Sequence, residues 1–577
     1  MQGHVALVLA FATACTGTIG DSRTPLNPIS TGGVRDFECV SATPALDSPL
    51  RRLSRNQLIN TLEEVLGRLL PEAVTEQVLA EVAPQLIALP NDLRIADEEL
   101  LHGQQSFFRA DQTIGNATVA GHYNLAFAVA RALTTEDRLS HLGFSCALEE
   151  GATDGACIDG ILEAIGPLTH RRPLEDAERA YYRDEVYQTG DVLSRPDLLD
   201  MVAVLFAQPG FVFHVEGTGE LTPFEAANRL AYQFWNSMPD EELYAAAESG
   251  ELLTSSGWQA QVERAIDDPR ARDAIENFVF QWFRFDQVNL PSTGSGPDFD
   301  AIRGDLVVDP SFDEAIQEEL VDLFMHVLRT GGTFEDFFLT EVTTTTHPGL
   351  ARLYGVSPAA PGGTVAVPPE RRSILTRPGL LVSRAEIALP TINSITHPIL
   401  RGVFVRRQVI CDVLPAAPAG AMDDLPVVDR STIGSREATE LLTSPAGCIS
   451  CHSSINPTGY ALEAFDAIGQ LRNDEPLFDE GGNVTMALPI DDVVTLPEQR
   501  EPIQGGAELA QVLWDSEKVG ACFSRHYVRF TLGRTERLDA DGCLLAAVDE
   551  AIDDELPLRD VLAMALLEPE LRVRPSN

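Results

Sequence analysis

Cys448-Ile449-Ser450-Cys451-His452 is the stretch from which the rest of this chain is best read. Two cysteines two residues apart, with histidine directly after the second, form the attachment pattern of c-type haem. The two thiols lie about one helical turn apart and reach the two vinyl groups on one porphyrin edge, and the adjacent imidazole swings beneath the iron as an axial ligand. With 9 cysteines and 11 histidines among 577 residues, chance produces this pattern only about 0.003 times in such a chain. Three other uses of a Cys-x-x-Cys pair compete. Half of a structural zinc site needs a second Cys-x-x-Cys or a His-x₃₋₅-His, and the sequence holds neither. A thioredoxin-like redox pair needs a strand-to-helix setting, which Leu441-Leu442-Thr443-Ser444-Pro445-Ala446-Gly447 does not provide. A plain short-loop disulfide leaves His452 incidental. The reading adopted is one covalent haem c on Cys448 and Cys451, with His452 as iron ligand.

The residues after the motif extend this expectation. Asn456-Pro457-Thr458-Gly459 has turn composition and follows closely enough to fold back beneath His452. A haem-ligating histidine passes its second ring N–H to an acceptor, so a backbone carbonyl near Pro457 is expected to accept from Nδ1 of His452. Phe465 is expected to pack against the porphyrin. Methionine is the usual closing ligand of such an iron; Met486 is the first candidate, with Met422, Met564 and His526 behind it.

Composition bounds the partners. The formal charge is −45, from 42 basic and 87 acidic residues, which argues against nucleic acid or an anionic membrane surface and points to a solvated acidic exterior or a basic redox partner protein. Val5 to Ala12 is apolar but too short to span a bilayer, and it ends in small residues before Cys15. That ending resembles the lipobox of bacterial lipoproteins, although the first residues lack Lys or Arg and Ala12 stands where Leu is usual; a cleaved secretory signal is the alternative. The expectation is an exported protein, periplasmic or on the outer membrane or cell surface, touching the membrane only through lipid on Cys15. Six cysteines remain beyond Cys15, Cys448 and Cys451, and an even number in an exported chain reads as disulfides. Short loops close most readily, so Cys146–Cys157 and Cys522–Cys543 are expected, leaving Cys39 with Cys411.

The fold class predicted is mainly α, in consecutive helical modules. After the signal segment (1–15) and a Gly/Ser/Thr/Pro-rich tether (16–48), helical spacing and caps divide the chain into 49–135, 136–218, 219–356, a haem-binding cytochrome c-like module at 370–495, and a C-terminal module at 500–577. Ser54 with Gln57 opens the first helix as a capping box, Thr222-Pro223-Phe224-Glu225 opens the third module, and Ser311-Phe312-Asp313-Glu314 starts a long helix within it. No strand alternation of comparable length is expected.

The order of motifs resembles the large, multi-module cytochrome-like proteins of unknown function first grouped from planctomycete genomes, and especially their lipoprotein relatives. Arg51-Arg52-Leu53-Ser54-Arg55, Arg171-Arg172-Pro173-Leu174, Leu230 to Asp240 and Leu400-Arg401-Gly402 carry the resemblance. Its most specific part is Cys448 to His452 continuing through Asn456 to Asp466. It implies a helical, exported, haem-bearing protein and no known reaction. The leading functional expectation is therefore electron transfer by an anchored monohaem protein. The alternatives are a haem-dependent oxidoreductase, for which no catalytic constellation is legible, and a cell-surface scaffold or carbohydrate-associated protein.

Overall fold

The computed structural model describes residues 37, 39, 51–94, 107–148, 154–185, 194–217, 219–382, 396–414, 428, 432–479 and 481–574. Helices dominate it. Helix α1 (Arg55–Leu69) begins as its sequence predicts: the Ser54 hydroxyl accepts from Gln57 N at 3.2 Å and the Gln57 side chain accepts from Ser54 N at 3.1 Å. Helices α2 (Glu72–Ala88), α3 (Asn116–Leu133), α4 (Gly155–His170) and α5 (Arg195–Ala207) follow, with α3 lying along both α2 and α5. Their apolar stripes close on one core that holds Leu62, Val65, Leu162, Ile165, Met201 and Leu205, each buried side chain contributing about 1.5–3 kcal/mol. Residues from both expected N-terminal segments share this core. A two-residue strand, β1 (Arg51–Arg52), pairs antiparallel with β2 (Phe213–His214), tying its first element to its last.

Helices α6 (Pro223–Phe234), α7 (Ala271–Trp282) and α8 (Pro310–Thr330) build a second core. Thr222 caps α6 with Glu225 and Pro223 at the first helical position. Ser311 does not cap α8. Asp309 does, accepting from Ser311 N and Phe312 N at 3.0 and 3.1 Å, because Pro310 takes the first helical position and moves the start upstream. The same core takes in α9 (Pro398–Phe404), part of α11 (Ala446–Tyr460), α12 (Lys518–Leu532), α13 (Leu538–Asp553) and α14 (Leu558–Leu567), with α10 (Ser435–Thr443) packed on α11. At its centre Phe278, Trp282, Phe324 and Phe334 meet Phe523 of α12 with ring centroids 4.3–6.5 Å apart. Phe299, Phe312, Leu350 and Ile468 form a smaller cluster beside it. The sequence gives no warning of the hairpin β3 (Asp474–Phe478) and β4 (Val484–Pro489), whose register shifts between Leu477 and Phe478.

Among the described residues, three disulfides staple these parts. Cys146–Cys157 forms as expected. The other two are exchanged relative to expectation: Cys411 bonds Cys522 and Cys39 bonds Cys543, across 111 and 504 residues of sequence. Proximity misleads because loop closure costs only about 0.6 kcal/mol more for each doubling of loop length, and core packing overrides so small a bias. Cys522 is fully buried on the face of α12 turned toward Cys411, leaving the neighbouring helix's Cys543 for Cys39.

Candidate functional site

Cys448, Cys451 and His452 occupy positions i, i+3 and i+4 of α11, so their side chains leave one face of the helix. All three are half-buried, and both thiols are free while the six other described cysteines are paired. Ile449 of α11 and Leu441 of α10 are about half-exposed.

The histidine's tautomer follows from a chain of hydrogen bonds beneath it. The Thr443 hydroxyl donates to the Thr439 carbonyl at 2.7 Å, so only its lone pairs remain for other partners. The Asn456 side chain must therefore turn its NH₂ toward Thr443, at 2.9 Å. That leaves Asn456 Oδ1 facing His452 Nδ1, also at 2.9 Å. An amide oxygen only accepts, so Nδ1 carries the proton and Nε2 carries the lone pair that binds a metal.

This corrects the expected acceptor. Asn456-Pro457-Thr458-Gly459 is not a turn; all four residues lie within α11, and the acceptor is a side chain one helical turn on, not a backbone carbonyl near Pro457. Proline inside a helix frees the carbonyl four residues back, here that of Ser453, an exposed residue whose carbonyl water can satisfy. The other residues of the segment are committed to packing. Thr458 accepts from Arg406 Nε at 3.0 Å. Gly459 lies against α9, where a Cβ would overlap the Pro398 carbonyl oxygen, and Gly402 of α9 would likewise overlap the Ile455 carbonyl.

Arg401 completes this support. Its guanidinium donates to the carbonyls of Leu381 (3.0 Å), Leu462 (2.9 Å), Phe465 (2.8 Å) and Asp466 (2.6 Å) and pairs with Glu463 at 3.3 Å. Burial lowers its pKa to about 10 and raises that of Glu463, yet every polar edge is used. The Leu400-Arg401-Gly402 and Leu462-Glu463-Ala464-Phe465-Asp466 segments are thus two halves of one joint behind the cysteine-bearing helix.

Phe465 belongs to this joint. It is 1 % exposed, with the Arg371 guanidinium 4.6 Å from its ring centroid, so it is core beneath α11 and not a wall of the thiol face; the chain turns inward after Tyr460. Met486 is half-exposed on β4, outside the hydrophobic clusters. His526 is enclosed, its Nε2 3.7 Å from Cys411 Sγ and its ring against Phe107 and Trp282. Met564 packs at the edge of the large core. Cys15 and Met422 lie outside the described residues. Sequence reasoning missed Asn456 and Thr443. The signal was the i, i+4 spacing of His452 and Asn456, legible only if the segment is read as helix.

Free thiols at i and i+3, an imidazole beside them with Nε2 unprotonated, and an acceptor fixing Nδ1 are a donor set that fits haem c. Residues 221–356 match the family described as PSD4, protein of unknown function (DUF1592), and residues 374–475, which contain Cys448 to His452, match PSCyt3, protein of unknown function (DUF1588). These matches support a multi-module family without an assigned reaction. Comparison with curated proteins and with solved structures finds no match.

Proposed function

We propose that this chain is an exported monohaem protein of electron transfer, its haem c held covalently by Cys448 and Cys451 and ligated by Nε2 of His452. The observation that carries the reading is the Thr439–Thr443–Asn456–His452 chain of hydrogen bonds behind two free thiols. When bound, the haem supplies a one-electron couple. Asn456 holds the imidazole plane, and α9 with Arg401 holds the helix that presents it. Met486, exposed on β4, would be the second protein ligand to the iron. A formal charge of −45 suits a basic partner protein through complementary fields. Lipid on Cys15 is the proposed anchor; no helix among the described residues is long and apolar enough to cross a membrane.

Coexpression with cytochrome c maturation machinery tests the reading. The wild type is expected to retain haem on a denaturing gel, and Cys451→Ala to weaken or alter the attachment. Loss of all haem from the denatured wild type ends it. A low-spin reduced spectrum supports electron transfer, whereas a high-spin haem that binds added ligands favours the oxidoreductase reading. Labelling with a radioactive fatty acid that marks the wild type but not Cys15→Ser tests the anchor.

A further inference from the structure

Between the N-terminal core, α6 and the C-terminal helices lies a cavity of about 80 Å³ whose walls carry Arg51, Arg109, Arg229, Arg534 and His214. In a chain with twice as many acidic as basic residues, this gathering of guanidinium groups is short of carboxylates. Arg534 is matched, donating twice to Asp541 at 2.7 Å. Arg229 and Arg51 share Glu216, at 2.7 and 3.4 Å. Arg109 has no carboxylate partner among the described residues. Its guanidinium donates to Gln233 Oε1 (2.9 Å), the Phe530 carbonyl (3.0 Å) and Asn236 Oδ1 (3.0 Å), and lies 3.5 Å from the Phe530 ring centroid. Asp273, on the far side of Asn236, accepts from the Asn236 and Asn60 amides, each at 3.2 Å, and is not paired with Arg109. Arg171, behind Tyr232, also meets only neutral oxygens, those of the Tyr232 hydroxyl and the Phe213 carbonyl.

Cations enclosed without counter-charge are costly. Burial and the neighbouring Arg51 bring Arg109 down to about 9. His214, opposite Arg51 in the β1–β2 pair, is 9 % exposed, and its Nδ1 has no hydrogen-bond partner. Burial first, and then Arg51, Arg171, Arg109 and Arg229, keep its ring neutral, so an Nδ1–H there is a donor that does not titrate near neutral pH. A cavity of this size has room for several waters or one small oxyanion.

We propose that the cavity binds a small oxyanion, phosphate-like or a short carboxylate, through Arg109, Arg51 and Nδ1 of His214. The walls come from β1, α6 and the Thr531–Arg534 end of α12, so a bound anion cross-links three parts of the chain. The Cys39–Cys543 disulfide fastens Cys39 to α13, the helix that carries Asp541. This inference is independent of the haem reading.

The full chain, with or without haem, is dialysed to equilibrium against radiolabelled inorganic phosphate and, separately, malonate, at fixed ionic strength in chloride. One anion per chain is expected to bind saturably, with a melting midpoint that rises as its concentration rises. Arg109→Gln is expected to lose at least tenfold in affinity while remaining folded in chloride. If that variant does not fold, His214→Phe, which removes the unpartnered donor, takes its place with the same expected loss. Tighter phosphate assigns a phosphate-bearing ligand, and tighter malonate a carboxylate. Absence of saturable binding by both anions, or undiminished binding in the folded variant, overturns the proposal.

Discussion

Arg401 and Arg109 are both arginines enclosed by the fold, and they differ in what surrounds them. Arg401 meets four backbone carbonyls and a carboxylate. Arg109 meets one backbone carbonyl and two side-chain amide oxygens, and one side of it opens on a cavity. A buried cation whose donors are spent on carbonyls of its own chain fixes that chain's path. A buried cation left with neutral partners and free volume keeps its charge available for something else. The first arrangement lies behind the thiol-bearing helix as a joint; the second lies at the far end of α12 as a receptor.

The contrast is broken most strongly at the joint. Arg401→Met removes the donor for four carbonyls and leaves Glu463 buried with only Thr396 and Arg472 as partners. A loss of about 3–5 kcal/mol is expected, as for other buried pairs deprived of one member. Urea unfolding reads this directly, and a midpoint within error of wild type would deny Arg401 its role. Arg109→Gln is expected to be far milder, because no carboxylate is orphaned.

Acid is the next test and bears on the cavity side. His214 and His526 are both held well below the ordinary histidine range, chiefly by burial and then by neighbouring arginines. In the unfolded chain both take up protons near pH 6.5, whereas the folded protein refuses them. The stability they permit is therefore fully present above pH 6.5 and is lost as pH falls toward their folded values. The slope for each histidine approaches about 1.4 kcal/mol per pH unit only below pH 6.5, so between pH 6.5 and 5.5 it integrates to about 1 kcal/mol each, or about 2 kcal/mol for the two. Melting curves across pH 5–8 check the slope, and His526→Gln is expected to reduce it, with His214 and the likewise burial-depressed His122 and His170 carrying the remainder. A stability independent of pH over this window would mean that neither ring is neutral and enclosed as described.

How much of this was legible depends on what each segment spends its residues on. The caps at Ser54 and Thr222 are local hydrogen bonds, and the sequence predicts them correctly. The thiol-and-imidazole spacing was legible for the same reason: three side chains on one helical face need no tertiary information. Asn456 to Gly459 misled because its turn composition is real, but Asn456, Thr458 and Gly459 each have a partner outside the segment that outweighs it: Thr443, Arg406, and the α9 backbone. The disulfide exchange has the same origin, in contacts that lie far apart in sequence. The arginine cavity gathers residues from positions 51 to 534, and no local pattern announces it.

Gly459→Ala tests how close the two helices of the joint must be. The added methyl meets the Pro398 carbonyl oxygen, which is backbone and cannot swing aside. Overpacking of this kind costs about 1–3 kcal/mol, and it is expected to displace α11 relative to α9. Gly447→Ala, in the first turn of the same helix and with open space around it, is the control and is expected to change stability by less than about 1 kcal/mol. Equal effects at the two positions would show that helix propensity, and not the crossing, governs the response.

The smallest effect is the most telling for the site. Thr443→Val removes one hydroxyl that donates to Thr439 and accepts from Asn456. By the usual worth of a buried hydrogen bond it costs about 0.5–1.5 kcal/mol, no more than minor packing damage would. Its second consequence separates the two readings. Without the Thr443 lone pairs, the Asn456 nitrogen keeps only the Tyr460 hydroxyl beside it, and the amide is freer to flip and offer NH₂ to His452. The imidazole must then accept at Nδ1 and carry its proton on Nε2. Nitrogen-15 NMR of the haem-free protein distinguishes protonated from bare ring nitrogens. Wild-type His452 is expected to show a protonated Nδ1 and a bare Nε2, with Thr443→Val shifting population toward the opposite tautomer. An unchanged His452 tautomer in a folded Thr443→Val protein would mean that Asn456 is oriented by other contacts, and that the chain of bonds beneath the histidine does not extend past it.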